Sequence, residues 1–493
     1  MDYLIRFVQA YESFRQPEIE TLSRLADAQT TTLFYAEDSP FCTVRFDGNE
    51  KPTDTIAAKF IRRSILSRGI YELWGQGNTY EDLHKDVRQR THHLWSLYKQ
   101  VPFKFWVDSY GNKRSTSEQR EIIDSFSYLG FEGRISMKNP DAEFTIFEDW
   151  EITPPSNQPK KLGVASSTDG EVPVATKLNR VFLGRHVGIA SRHLIDKHDL
   201  KKRPYISTTS MNAELALVTA NFALAAPGKL FLDPFVGTGG FMVAAAELGA
   251  VVLGSDIDGR SFRGKSTGLQ KGVGANFEKY NLQALFGDCM TSDLTNTPFR
   301  SPPSAEHLSD GRWLDGIISD PPYGVREGLK VLGQKQSPSP GVLDDGNPDI
   351  GVRGPRLIDG IPAHTLPGYI PPKKPYSFER MMADVLDFSA RTLVDGGRVA
   401  FWMPTANDID GEARSIVAPT HRSLELQHEC IQTFNKWSRR LLVYERLSDS
   451  AVSAKCMTDA MDALATSNGM VGSRADDLNA FRRQYFQGFR DKS

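Results

Sequence analysis

Cysteine is scarce in this chain of 493 residues: Cys42, Cys289, Cys430 and Cys456 lie far apart, with no C-x-x-C pair. Neither a disulfide framework nor a four-thiolate zinc site can be read from that spacing, which suits reduced thiols in the cytosol or nucleus. Long apolar runs are also missing. The longest, Leu215 to Ala226, is shorter than the roughly 18 residues a membrane span needs and contains Thr219 and Asn221. Asp2, Arg6 and Glu12 stand where a signal peptide would keep an unbroken apolar core, so neither a membrane span nor secretion is expected. No charge sign dominates either: 59 Lys and Arg meet 61 Asp and Glu, a net charge of −2. This argues against indiscriminate coating of nucleic acid while leaving room for a local basic patch. With 40% hydrophobic and 24% charged residues, the composition is that of a globular protein, not of a disordered or collagenous one.

At about 150 residues per domain, the length predicts roughly three folding units. Two composition breaks divide it. Thr153 to Thr168 carries Pro154, Pro155 and Pro159 among Ser, Asn and Lys, which is linker chemistry. From Gly328 to Tyr376, Pro and Gly recur without any helical or strand period, so an inserted loop is expected there, either a substrate-facing lid or a tolerated insertion. Before the first break, strand-like runs (Leu4–Val8, Phe41–Phe46, Phe103–Val107, Phe144–Phe147) interleave with helical patterns (Pro17–Ala26, Thr53–Ser67, Tyr80–Tyr98, Thr116–Leu129), predicting small α+β units. After it, the short apolar runs Leu230–Leu232, Val251–Leu253, Ala284–Phe286, Gly316–Ser319 and Val399–Met403 read as buried parallel strands of a doubly wound α/β domain.

The first chemically informative stretch is Asp233-Pro234-Phe235-Val236-Gly237-Thr238-Gly239-Gly240, between a strand and the helix Phe241–Leu248. Glycines at such a turn let backbone N–H groups face a nucleotide-like ligand. Asp256 ends the next strand, where this fold binds a ribose diol, and Asp288 follows the third. The pattern is neither G-x-G-x-x-G nor a P-loop, and the carboxylate of Asp233 would repel phosphate. S-adenosylmethionine, with one ribose, no phosphate and a cationic amino acid moiety, fits these residues.

The second is Asp320-Pro321-Pro322-Tyr323-Gly324, after the strand Gly316–Ser319. Two prolines stiffen the turn and leave the Pro321 carbonyl without a competing N–H. With the Asp320 carboxylate it offers paired acceptors to an exocyclic amine. Tyr323 offers a ring face to a base taken out of its stack. Methyl transfer from a sulfonium needs alignment more than acid–base help, and this corner supplies alignment.

The run Asp320-Pro-Pro-Tyr-Gly-Val-Arg-Glu-Gly328, the turn Asp233–Gly240, the segment Arg203-Pro-Tyr-Ile-Ser-Thr-Thr-Ser-Met211 and the opening Ile5-Arg-Phe-Val-Gln-Ala-Tyr-Glu-Ser-Phe-Arg-Gln-Pro-Glu-Ile19 resemble the catalytic subunits of eukaryotic tRNA (guanine-N2-)-methyltransferases that modify guanosine ten. The resemblance spans roughly Met1 to Arg446 and implies ferredoxin-like and THUMP elements over residues 1–152, followed by a linker and connecting strand over 153–195. A Rossmann-like methyltransferase domain follows over 196–446, with the insertion 328–376, and a tail over 447–493. It also implies tRNA as substrate and a small zinc-binding activator subunit covering an apolar surface. Matched by motif, Thr209, Ser210, Asp233, Gly237, Gly239, Asp256 and Asp288 take cofactor positions, while Asp320, Pro321 and Tyr323 handle the base. The amine-binding motif is shared with DNA adenine-N6 and cytosine-N4 methyltransferases, and a tRNA-binding protein without activity is a third reading. The basic groups Lys201–Arg203 and Lys436–Arg440, the latter with Trp437, are candidates for contact with RNA, and the tail is expected to be solvated.

Overall fold

In the computed structural model the opening residues form β1 (Asp2–Phe7), an interior strand of a sheet, buried along its whole length. The residues described are 1–47, 54–153, 174–264, 272–300, 311–325, 329–333, 357–362, 365–366, 372–407, 417–434, 437–453, 479 and 481. The linker-like stretch after Thr153, most of the 328–376 insertion, Lys436 and most of the tail therefore lie outside them. The chain divides into one unit of residues 1–202 with 212–224 and a second of 203–211 with 225–493.

In the first unit β1, α1 (Glu12–Ala26), β2 (Gln29–Tyr35), β3 (Phe41–Asp47), α2 (Asp54–Ile61) and β4 (Ser67–Gly77) follow the βαββαβ order of a ferredoxin-like fold. Their sheet continues through α3 (Tyr80–Thr91), β5 (Phe103–Tyr110), α4 (Thr116–Asp124), β6 (Ala142–Thr153) and β7 (Val174–Ile189), giving the seven-stranded order β2-β3-β1-β4-β7-β6-β5. Tyr3, Ile5, Phe7, Val44 and Phe60 fill one core, and Trp74, Leu83, Val87, Phe144 and Ile146 the other. Within 153–195, where a linker and a connecting strand are expected, β7 pairs with β4 on one side and β6 on the other. Helix α5 (Ala213–Phe222) belongs to this first unit, and the ring of its Phe222 stacks on Phe14 at 6.3 Å. Its lack of a polar face fits burial on all sides.

In the second unit β8 (Leu230–Asp233), α6 (Gly240–Glu247), β9 (Val251–Asp256), α7 (Val273–Tyr280), β10 (Phe286–Thr291), β11 (Leu314–Ser319), α8 (Phe378–Thr392), β12 (Leu393–Ala406), β13 (Leu424–Thr433) and β14 (Trp437–Arg446) build a sheet in the order β10-β9-β8-β11-β12-β14-β13. The first five of these strands run parallel, as doubly wound sheets do, and β14 and β13 add an antiparallel hairpin at one edge. Leu232, Ile317, Val399 and Phe401 from the central strands pack with Met381, Val385 and Leu386 of α8. Because β8 and β11 are adjacent, their carboxyl ends and the chain reversal between β8 and β9 open onto one crevice.

Candidate active site

One cavity of about 910 Å³ lies over those strand ends, near the upper limit of ordinary ligand pockets. Its wall includes Ser207–Met211, the turn from Asp233 to Thr238 with Gly240, Asp256, Ser292–Thr295, the corner Asp320–Val325, and Phe434, Trp437, Arg439 and Phe481. The structure thus brings together Thr209, Ser210, Asp233, Gly237, Asp256, Asp320, Pro321, Pro322 and Tyr323. The Gly237 backbone and the Tyr323 ring share one space, as a cofactor and a base that react with each other require.

The glycine turn works differently from the expectation that its N–H groups face a ligand. Gly237 N–H donates to Asp256 Oδ2 (3.1 Å) and Gly239 N–H to the Val236 carbonyl (2.7 Å), so both donors serve the protein itself. What glycine supplies at 237 is a positive φ of 50° and clearance, since a Cβ there would meet nothing nearer than 3.9 Å. Gly239, also at positive φ (76°), does not line the cavity, and a Cβ there would press on Val273 at 2.6 Å. Ser210 Oγ and Thr238 Oγ1, 2.8 Å apart, tie the 207–211 loop to the turn. A turn whose glycine donors are internally satisfied is a poor phosphate cradle, which agrees with a cofactor lacking phosphate.

Asp233 is buried at the end of β8, where its Oδ1 accepts from the Phe235 N–H and the Ser319 hydroxyl, both at 3.1 Å. Burial, reinforced by the nearby Asp256 and Asp320 carboxylates, pushes its carboxyl up to about 8. A buried acid in this state favours a cationic partner. Asp256, at the end of β9, accepts from Asp258 N–H (2.9 Å) as well as Gly237, and burial again raises its carboxyl.

Asp288 departs from its predicted place. Gln283–Leu285 form a 3₁₀ turn and the strand runs on to Thr291, so Asp288 sits mid-strand on the sheet edge, exposed and outside the cavity. The apolar run that suggested a strand leads into it instead, with Phe286 stacked on Phe277 at 4.5 Å. Ser292 and Asp293, beyond the true strand end, take the cavity position. Asp293 Oδ1 caps Thr295 N–H at 2.8 Å and its Oδ2 accepts from Leu332 N–H at 2.6 Å.

At the Asp320 corner, Oδ1 of the carboxylate is out of solvent and, like the Tyr323 hydroxyl, has no hydrogen bond of good geometry, although the two groups lie against each other and near Arg439. Burial raises the Asp320 carboxyl to about 6, with Tyr323 and Arg439 opposing. A buried acceptor without a donor carries a desolvation penalty, and it fits a site whose donor arrives with the substrate. Trp437 meets the Tyr323 ring edge-on at 5.9 Å and stacks on Phe434 at 4.6 Å. The tail contributes as well: Asn479 Nδ2 donates to the Tyr323 carbonyl at 2.9 Å, and Phe481, 6% exposed, lies 6.2 Å from Trp437. For these two residues the expectation of a solvated tail is corrected.

The basic groups separate too. Lys201 and Lys202 are exposed, but Arg203 is buried, and Arg440 is buried against Glu429 at 2.7 Å, so neither arginine is a surface contact. We expect Tyr323→Ala to lower kcat/KM for the base-bearing substrate by the equivalent of about 1–3 kcal/mol, the usual worth of a base-stacking ring, while Tyr323→Phe stays within a few-fold. Steady-state kinetics that leave the alanine variant unchanged would remove the ring from base handling.

The strand order, a glycine turn poorly suited to phosphate and the Asp320–Tyr323 corner in one cavity are those of a Rossmann-like amino-methyltransferase. Comparison with known proteins narrows the class. Residues 1–169 match the model of the Tmrp11 THUMP N-terminal domain, and residues 201–335 match the RMKL-like methyltransferase domain. The chain is 42% identical over 446 residues to a tRNA (guanine(10)-N(2))-methyltransferase of Saccharomyces cerevisiae, covering 90% of this chain and 92% of that one. It is 32% identical over 480 residues to the protein of the same name from Schizosaccharomyces pombe, covering 90% and 89%. Among solved structures, TrmN from Thermus thermophilus aligns over 91% of this chain and all of its own, at 14% identity and a TM-score of 0.39. The chain belongs to the tRNA (guanine(10)-N(2))-methyltransferase family.

Proposed function

We propose that this chain methylates the exocyclic N2 amine of the guanosine at position ten of tRNA, using S-adenosylmethionine. The observation that carries this reading is the shared cavity of the Asp320–Tyr323 corner and the Gly237 turn. The donor, when bound, supplies a methyl group on a positively charged sulfur. The residues present suit it: Asp256 at the strand end for the ribose hydroxyls, Asp233 for the cationic ammonium, and the Ser210–Thr238 pair and Gly237 for close approach.

Asp320 does the work on the substrate side. Its carboxylate accepts an N–H of the amine and holds the nitrogen in place, and its charge stabilises the positive charge that the nitrogen gains on taking the methyl group and loses when it gives up a proton during or after transfer. The diproline turn keeps that acceptor in position, and Tyr323 with Trp437 offers the base ring surfaces. Holding two reactants in register is worth several kcal/mol of barrier, so a site of this kind needs no metal-activated water or general acid. A THUMP-bearing first unit supports delivery of tRNA to this cavity.

The partner reading is narrower: a small zinc-binding activator subunit, in the cytoplasm, covers an apolar surface of the methyltransferase unit. Met290, exposed on the edge strand β10, favours such a cover. The test is to co-express the chain with the activator and incubate it with unmodified tRNA and labelled S-adenosylmethionine. N2-methylguanosine at position ten is expected, and no label in a transcript with adenosine there. Label in duplex DNA and none in tRNA would overturn the reading, and activity unchanged when the chain is purified alone would remove the activator.

A further inference from the structure

The geometry points to Arg439 as the residue that selects guanine, by donating to O6 of the base whose amine Asp320 holds. The inference rests on the function proposed above and names the group that sets base identity. Arg439 lies on β14 opposite Gln432 of β13, and its Nε donates to Gln432 Oε1 at 2.6 Å. The guanidinium lies 4.7 Å from the centroid of the Trp402 ring and 5.5 Å from that of Phe434. An arginine held at Nε and flanked by rings has lost most of its rotamer freedom, so its terminal nitrogens present donors at a fixed place. That place is the wall of the cavity, next to Asp320 and Tyr323. Its neighbours Ser438 and Arg440 point to the other face of the strand, Arg440 into an ion pair with Glu429.

The chemistry of the base completes the argument. Guanine carries two donor groups side by side, the N2 amine and N1–H, and an acceptor, O6, on the far side of N1. A carboxylate adjacent to a guanidinium mirrors that order. Adenine entering amine-first carries a carbon-bound hydrogen where guanine carries O6, which leaves the guanidinium without an acceptor. Cytosine entering amine-first sets its N3 lone pair against the carboxylate. Arginine to guanine O6 is a recurrent pairing, and a well-placed one discriminates by the equivalent of about 1–3 kcal/mol. Asp320 and the diproline turn hold any exocyclic amine, so base selection has to come from another group in the cavity.

The test is a double-mutant cycle between enzyme and substrate. Transcripts carry guanosine or 2-aminopurine at position ten; the analogue keeps the C2 amine and lacks O6. The parent enzyme is expected to lose on the order of 10–100-fold in kcat/KM on the analogue. In Arg439→Met that penalty should shrink about tenfold, because the lost contact is already gone; any cost of the missing N1–H appears in both arms and cancels. Unchanged affinity for S-adenosylmethionine in calorimetry identifies a folded variant. Should Arg439→Met fail that check, Arg439→Lys, which keeps charge and stem but not the fork, enters the same cycle. An equal penalty in parent and folded variant would overturn the role of Arg439. A parent enzyme that methylates no guanosine tRNA at all would instead overturn the function on which the inference rests.

Discussion

Asp320→Ala is expected to reduce kcat for tRNA methylation by about 10²–10³-fold, the usual cost of removing one preorganised group that stabilises developing charge, while tRNA affinity stays within about twofold. The first effect follows from where the carboxylate sits: its Oδ1 is buried without a donor of good geometry, which on the function proposed above leaves that oxygen for the amine. The second follows because a tRNA is held mainly by phosphate contacts spread over a wide surface, and one group at the amine contributes little to them. Asp320→Asn separates geometry from charge, since the amide keeps a carbonyl acceptor and loses the negative charge. A smaller loss than in the alanine variant is expected. The pH profile gives an independent readout. With its carboxyl raised to about 6 by burial, Asp320 is the ionised acceptor above that pH and a protonated, weaker one below it. In the parent kcat/KM, which reports the free enzyme, should therefore fall as pH drops through about 6, and this inflection should vanish in Asp320→Asn. Parent-like turnover in either variant, or the same acid limb in both profiles, would remove Asp320 from the chemistry.

The strand ends carrying Asp233, Asp256 and Asp320 were readable from the sequence because central parallel strands are covered on both faces and must be continuously apolar, so each run stops sharply where the cavity begins. An edge strand obeys no such rule. On β10 the exposed Gly287, Asp288 and Met290 give no pattern, and the strand end was misplaced from Thr291 to Phe286, taking Asp288 with it. β4 was hidden by Gly75, whose missing Cβ lets α3 approach so closely that one added there would lie 2.4 Å from Val87; glycine lowers strand propensity just where packing demands it. β14 was obscured by its arginines. Composition shows their charge and not what offsets it: Glu429 for Arg440, and the Ala390 carbonyl at 2.9 Å for Arg446. The same limit leaves Arg439 undistinguished within the run Lys436–Arg440, a candidate for RNA contact as a whole, until Gln432, Trp402 and Phe434 are placed around it. Asn479 and Phe481 had no local signal, since a short polar–aromatic stretch more than 150 residues from Tyr323 gains meaning only from a tertiary contact.

Asp256→Ala should act on cofactor binding and spare the chemical step, the reverse of the Asp320 variants. The carboxylate has two tasks. On the function proposed above it takes the ribose hydroxyls, and through Oδ2 it holds the Gly237 N–H, so removing it frees the turn as well as deleting a charged acceptor. A hydrogen bond to a charged group is worth about 1.5–3 kcal/mol, which predicts a rise of roughly 10–100-fold in Kd for S-adenosylmethionine by calorimetry. At saturating cofactor kcat should return to within several-fold of the parent, because Asp320 and Tyr323 are untouched. Asp256→Asn isolates the first task, since its amide oxygen can still accept from Gly237 while the charge is lost, and an intermediate Kd is expected. The two outcomes that count against this assignment are an unchanged Kd in the alanine variant and a kcat loss that excess cofactor does not repair. The first would place the ribose elsewhere in the cavity, and the second would make Asp256 part of the reaction itself.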